Sequence, residues 1–140
     1  MRYFIAFLSL AGFLVSTLAL RVHYNTGTEP CSINEHWDCG IVNHSSYSVI
    51  DHVPVAAIGM AGYLFLGVLA LARRRILLLA GALIGLGFAL YLSNIERNVL
   101  EIWCLYCVIS QGIIALITLM SIAWLVTVER AKSRTRQAGA

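Results

Sequence analysis

The chain has 140 residues, 59% hydrophobic and 12% charged, with a net charge of +3. A soluble domain of this length cannot bury that much apolar surface, so the composition excludes a water-soluble globular enzyme. The small positive excess reads as a membrane-topology signal and gives no reason for a nucleic-acid partner.

Four apolar runs, about residues 3–20, 53–72, 76–93 and 102–128, contain no Asp, Glu, Lys or Arg. Each is long enough to cross roughly 30 Å of hydrocarbon as a helix. The expected fold is an all-α integral membrane protein, a bundle of four transmembrane helices forming one domain over residues 1–140. A secretory signal also starts with a basic residue and an apolar run, but here no Ala-x-Ala site follows, so the first run is read as a retained helix. The loop over residues 21–52 is the only sizeable polar segment. Its first half is rich in turn formers, and residues 42–50 suit a short amphipathic helix on the membrane surface. Pro54 suits the first turn of the second span, where its missing N–H costs nothing. In the third span, Gly81 and Gly85 are spaced to let a neighbouring helix approach closely. The tail over residues 129–140 is polar and basic, and is expected to fray.

The basic residues orient these helices. Arg2, Arg73, Arg74, Arg75, Arg130, Lys132, Arg134 and Arg136 lie at the ends and in the second connection, whereas the other two connections hold only Arg21 and Arg97. Both termini and the Arg73–Arg75 turn are therefore expected in the cytoplasm. Loop 21–52 and turn 94–103 face out, together with Cys31, Cys39, Cys104 and Cys107. That compartment is oxidising, and disulfides persist there.

Cys104 and Cys107 form a Cys-x-x-Cys pair where the fourth run begins. Such a pair is redox chemistry or half of a metal site. Residues i and i+3 share a helix face, and Cys107 lies ~4.5 Å deeper along the axis than Cys104. A nearby helix N-terminus favours thiolate. The arrangement suits the passage of two electrons from the aqueous side to a bilayer-soluble acceptor, for which a quinone is the obvious candidate. The alternative is an inert staple, which a bridge within one helical turn serves poorly. Cys31 and Cys39, alone, would read as a structural loop disulfide. With a second dithiol on the same side they read as the other half of a relay. The spacing Cys-x7-Cys, 64 residues, Cys-x2-Cys does not match a zinc ribbon, and no metal is expected.

The remaining polar residues are weaker signals. Trp103 and Tyr106 adjoin the inner pair, and are candidates for a quinone pocket as well as ordinary interfacial aromatics. Asn43, Ser45 and Ser46 follow Cys39, either as loop hydrogen bonds or as donors to a thiolate or a quinone oxygen. His23, His36, His44 and His52 all fall in the outer loop, where solvated or interfacial histidines are the ordinary reading.

These residues resemble the vitamin K epoxide reductase family in its short bacterial form. The resemblance is carried by Cys31, Trp37-Asp38-Cys39-Gly40-Ile41-Val42-Asn43, Ser45, Tyr47-Ser48, Pro54-Val55-Ala56 and Gly59, then by Phe88-Ala89-Leu90-Tyr91-Leu92, Glu96, Val99-Leu100, Cys104-Leu105-Tyr106-Cys107 and Ser110. It implies a four-helix bundle around a quinone, ubiquinone or menaquinone, in the inner (cytoplasmic) membrane. It also implies a DsbA-like thioredoxin-fold partner that delivers electrons to the loop pair. Position by position, Cys31 becomes the partner-facing cysteine, Cys39 exchanges with Cys104, Cys107 faces the quinone, and Ser45 is the polar residue near the active site. Two departures stand out. The family often has Gly-Ile-Pro before the second helix, where this chain has His52-Val53-Pro54. Many members also carry a fused thioredoxin-like domain, so a separate partner is expected here.

Three other functions compete with a quinone-linked thiol oxidase. A DsbB-type oxidase would carry its Cys-x-x-Cys in the first outer loop, not at the fourth helix. Reduction of vitamin K quinone or epoxide is the second, and nothing in the sequence distinguishes the quinone, although an envelope oxidase better suits a short chain with this bacterial pattern. A non-catalytic membrane protein with structural disulfides is the reading from another class, but small transporters usually place a charge inside a span, and these runs hold none.

Overall fold

A computed structural model of the protein describes residues 1–24 and 34–140. The elements are α1 (Arg2–Tyr24), α2 (Cys39–His44), a 3-10 turn (Ser46–Ser48), β1 (Val49–Ile50), β2 (Val53–Pro54), α3 (Val55–Leu71), α4 (Arg75–Ile95), a π turn (Glu96–Leu100) and α5 (Leu105–Ala138). Three helical stretches are long and apolar enough to cross a membrane: Arg2–Tyr24, Arg75–Leu100 and Leu105–Ala138. The apolar helix α3 has 17 residues and is shorter. The chain is thus a multi-pass membrane protein.

Small residues let α1 and α3 lie close together. The buried positions of α1 are Ile5, Ser9, Gly12, Ser16, Ala19 and Val22, a stripe repeating every three to four residues. Against it the antiparallel α3 sets Gly67 opposite Ser9 and Gly59 opposite Ser16, at 3.4 Å and 3.0 Å from where a glycine Cβ would stand. Gly12 lies against the Tyr63 ring, which a Cβ there would overlap. In lipid, helices gain no hydrophobic drive from meeting one another, so this close approach supplies the dispersion contact. The expected glycine packing of α4 is also present: Gly81 receives Leu66 of α3, and Gly85 receives Ile114 of α5. The buried hydroxyls do not violate the apolar rule. Ser9, Thr118 and Ser121 each donate to the carbonyl four residues back, at 2.9, 2.8 and 2.7 Å.

Several local expectations need correction. The helix expected over residues 42–50 stands earlier, at Cys39–His44, and residues 49–54 form a two-stranded hairpin. Asp38 starts that helix, its carboxylate accepting from the Ile41 N–H at 3.2 Å, a cap that fixes the start at Cys39. Asp51 and His52 take φ of 50° and 67°, a left-handed pair that closes the hairpin as a two-residue turn. The glycine of the usual family pattern falls at His52, which here takes a positive φ of the kind glycine adopts readily. Pro54 precedes α3 as its cap. The fourth run starts its helix at Leu105, with Cys104 as the extended N-cap residue. The tail expected to fray is helical to Ala138, consistent with its Ala, Arg, Glu, Lys and Gln content.

Candidate functional site

The Cys-x-x-Cys pair spans the cap of α5. Cys104 is the N-cap, its carbonyl accepting from the Val108 N–H at 3.0 Å, and Cys107 lies one turn further along the helix. Both are free thiols, and Cys104 is fully buried. Their side chains are hydrogen-bonded to one another. Cys104 lies outside the span and ionises below the ordinary thiol range. The hydrogen bond from the Cys107 side chain is the largest cause, against opposition from burial and from the Glu96 carboxylate.

The long polar loop delivers Cys39 to the same place. Cys39 opens α2, is fully buried and is disulfide-bonded. It packs in one apolar cluster with Val22, Val42 and Cys104, flanked by Leu100, Ile102 and Tyr106. Backbone bonds stitch the loop to the approach of α5: Asp38 N–H donates to the Trp103 carbonyl at 3.1 Å, and Trp103 N–H to the His36 carbonyl at 2.8 Å. Asn43 ties the two cysteines together. Its amide donates to the Cys39 carbonyl at 2.9 Å and to Cys104 Sγ at 3.5 Å. A donor aimed at sulfur favours the thiolate form. The Asn43 carbonyl is held in turn by His23 Nδ1 at 2.6 Å and by the Ser48 hydroxyl at 2.6 Å.

A cavity of about 580 Å³ lies between the helices. Its lining is mostly apolar, from α1, α3, α4 and α5. Toward the loop and the start of α5 stand Cys107, Tyr106, Asn43, Ser45 and Glu96, while other lining positions include Tyr63 and Ser110, whose groups are hydrogen-bonded at 2.7 and 2.8 Å. Such a space, apolar with a few polar groups at one end, fits a flat apolar molecule with hydrogen-bonding oxygens.

A model of the vitamin K epoxide reductase family matches residues 3–122 of this chain. The chain belongs to the vitamin K epoxide reductase family. Among curated proteins none matches closely enough to add a relative. The family's members are membrane oxidoreductases that act with quinones. The cavity fits that cofactor class in size, in apolar lining and in the polar groups gathered beside Cys107.

Within this vitamin K epoxide reductase homologue the structure sorts the residues singled out by motif. Cys39, Cys104, Cys107, Asn43, Ser45 and Tyr106 converge on one region. Ser45 lines the cavity with its hydroxyl given to the Val42 carbonyl at 2.7 Å. Trp103 is not among the lining residues; its ring packs near Trp37, with centroids 6.4 Å apart. Cys31 lies outside the described residues. One residue that motif reading did not single out for the site is Glu96. In the sequence it stands only among the residues that carry the family resemblance, with no role attached. In the fold it is buried, 3% exposed, and its Oε2 accepts from the Cys104 N–H at 3.2 Å. Its carboxylate is also hydrogen-bonded to the Cys107 side chain. The available signal was an acid just past an apolar run, eight residues ahead of Cys104.

Proposed function

We propose that the protein is a thiol oxidase that passes electrons from a secreted thioredoxin-fold protein, DsbA-like, to a membrane quinone, ubiquinone or menaquinone, and so supports disulfide formation. The observation that carries this reading is the division of the inner pair. Cys107 lines the apolar cavity, while Cys104 is buried against the disulfide-bonded Cys39. One sulfur is thus placed for the bilayer acceptor and the other for thiol–disulfide exchange.

In the proposed order the partner's dithiol reduces the loop pair through Cys31. The freed Cys39 thiolate exchanges with the Cys104–Cys107 disulfide at Cys104, which leaves Cys104 and Cys107 reduced and the loop pair oxidised. Closing the inner disulfide again releases two electrons and two protons. A quinone, when bound, supplies the acceptor for both. Asn43 stabilises the Cys104 thiolate through its amide, Ser45 and Tyr106 are proposed to orient the acceptor, and the apolar lining keeps water from the reduced sulfurs. α3 completes a bundle of four spans in the inner membrane, with both termini cytoplasmic and the cysteines on the outer side, as the distribution of Lys and Arg supports.

The test is quinone reduction by purified protein in lipid nanodiscs, with dithiothreitol as donor and a short-chain ubiquinone analogue as acceptor. Wild type should turn over, and Cys107→Ser should be inactive with any donor. Turnover surviving Cys107→Ser would end the proposal.

A further inference from the structure

We infer that Glu96 is the proton-transfer residue of this redox centre: its buried carboxylate takes the Cys107 proton as the Cys104–Cys107 disulfide closes and passes it into the cavity. The inference rests on the thiol-oxidase reading. Three observations carry it. First, Glu96 is 3% exposed at the end of an apolar helix, and among the described residues no Lys or Arg forms an ion pair with it. An acid buried at a membrane helix end without a counter-ion is costly, and such residues mark proton and ion paths. Second, it touches both halves of the pair, accepting from Cys104 N–H at 3.2 Å and hydrogen-bonding the Cys107 side chain. Third, it lines the same cavity as Cys107, so one carboxyl group bridges the thiol and the space for the acceptor.

The backbone is shaped for this contact. After Ile95, α4 widens into the π turn Glu96–Leu100, and Glu101 follows with φ of 55°. π turns recur at functional sites, and this one starts on the acid itself. A regular helical continuation would carry the chain on along the α4 axis. The wide turn and the left-handed residue instead bring Cys104 back over Glu96, eight residues later.

The step balances as follows. Closing the disulfide makes one S–S bond, breaks the Cys107 S–H bond and releases two electrons, which the quinone accepts. Glu96 takes the Cys107 proton and gives it to one oxygen of the reduced quinone. Cys104 reacts as the thiolate that thiol–disulfide exchange leaves, the second proton having been lost to water from the loop dithiol. The reduced quinone takes one proton back from water, so that two electrons and two protons reach it in all.

Glu96→Gln separates proton transfer from a merely structural role. Glutamine has nearly the same shape and keeps an oxygen to accept from Cys104 N–H, but cannot carry a proton. We expect Glu96→Gln to fold and to bind the quinone analogue. Its quinone reduction should slow about 100-fold, as loss of a general acid–base group does. Exchange of its inner pair with dithiothreitol should continue. A second readout needs no quinone: the infrared difference spectrum between dithiol and disulfide forms of the purified protein should contain a carboxyl band that Glu96→Gln removes. Quinone reduction at the wild-type rate in Glu96→Gln, or a difference spectrum unchanged by it, would overturn the inference while leaving the oxidase reading intact. A wild type that reduces no quinone would sink both.

Discussion

Cys104 is favoured as a thiolate by its neighbours. It caps a helix, receives the Asn43 amide on its sulfur at 3.5 Å and shares a hydrogen bond with Cys107. Its thiol ionises below the ordinary range, so in reduced, quinone-free protein its alkylation should stay fast at pH values where an ordinary thiol has become protonated and slow. Glu96 opposes that shift through its charge. Glu96→Gln should therefore move the Cys104 alkylation profile to lower pH. Asn43→Ala has the opposite sign, because a thiolate that loses a donor is harder to form. The profile should rise by about one pH unit, the worth of a hydrogen bond to a charged group. Rate measurements with iodoacetamide across pH, with Cys31, Cys39 and Cys107 replaced by serine to isolate one thiol, would check both. In the proposed relay, a variant with Cys107→Ser alone lacks the thiol that resolves exchange at Cys104. A Cys39–Cys104 mixed disulfide should accumulate in it, and Cys104→Ala should abolish that species. Non-reducing peptide mapping reads the pairing directly, and a Cys31–Cys104 bond would reverse the assigned roles of the loop cysteines.

Helix against helix, the decisive contacts are between small residues, and the glycines differ sharply in what surrounds them. Gly12 of α1 faces the Tyr63 ring, which is buried and whose hydroxyl is tied to Ser110. Tyr63 cannot simply swing away, and it also lines the cavity. Gly12→Ala should cost about 1–3 kcal/mol by overpacking, seen as a lower melting temperature in detergent micelles. Gly87 of α4 has nothing within 4 Å of where its Cβ would be. Gly87→Ala should be neutral or stabilise by up to about 1 kcal/mol, since alanine orders a helix more cheaply. Equal effects at the two sites would show that the close contact of α1 with α3 is not what holds the helices together. The Trp37–Trp103 bridge matters at the same level. It pins the loop to the start of α5 and so sets the distance between Cys39 and Cys104.

Across the bundle, the proposed relay takes electrons in from one side only. The distribution of Lys and Arg predicts both termini inside and all four cysteines outside. Membrane-impermeant maleimide should label the reduced cysteines in intact cells; labelling only after lysis would defeat the relay. Cys31→Ser should stop oxidation of a DsbA-like protein and leave dithiothreitol able to feed Cys104 and Cys107. A variant equal to wild type with the protein partner would make Cys31 a spare.

Much of this protein was legible in its one-dimensional pattern, because a bilayer imposes simple rules. Uncharged runs must be helices that satisfy their own backbone, so the number and rough limits of the apolar segments follow from composition. The cysteines and the Trp37–Asn43 block carried the family resemblance that the match over residues 3–122 supports. What the pattern left open were contacts between residues far apart in the chain. Asn43 and Cys104 are 61 positions apart, and only the packing of α2 against the cap of α5 puts an amide on that sulfur. Glu96 stands in the resemblance without a role until the π turn and left-handed Glu101 fold it under Cys104. Composition reports how much charge a segment carries. Whether a given carboxylate ends in water or beside a thiol depends on where the backbone turns, and that is settled only in three dimensions.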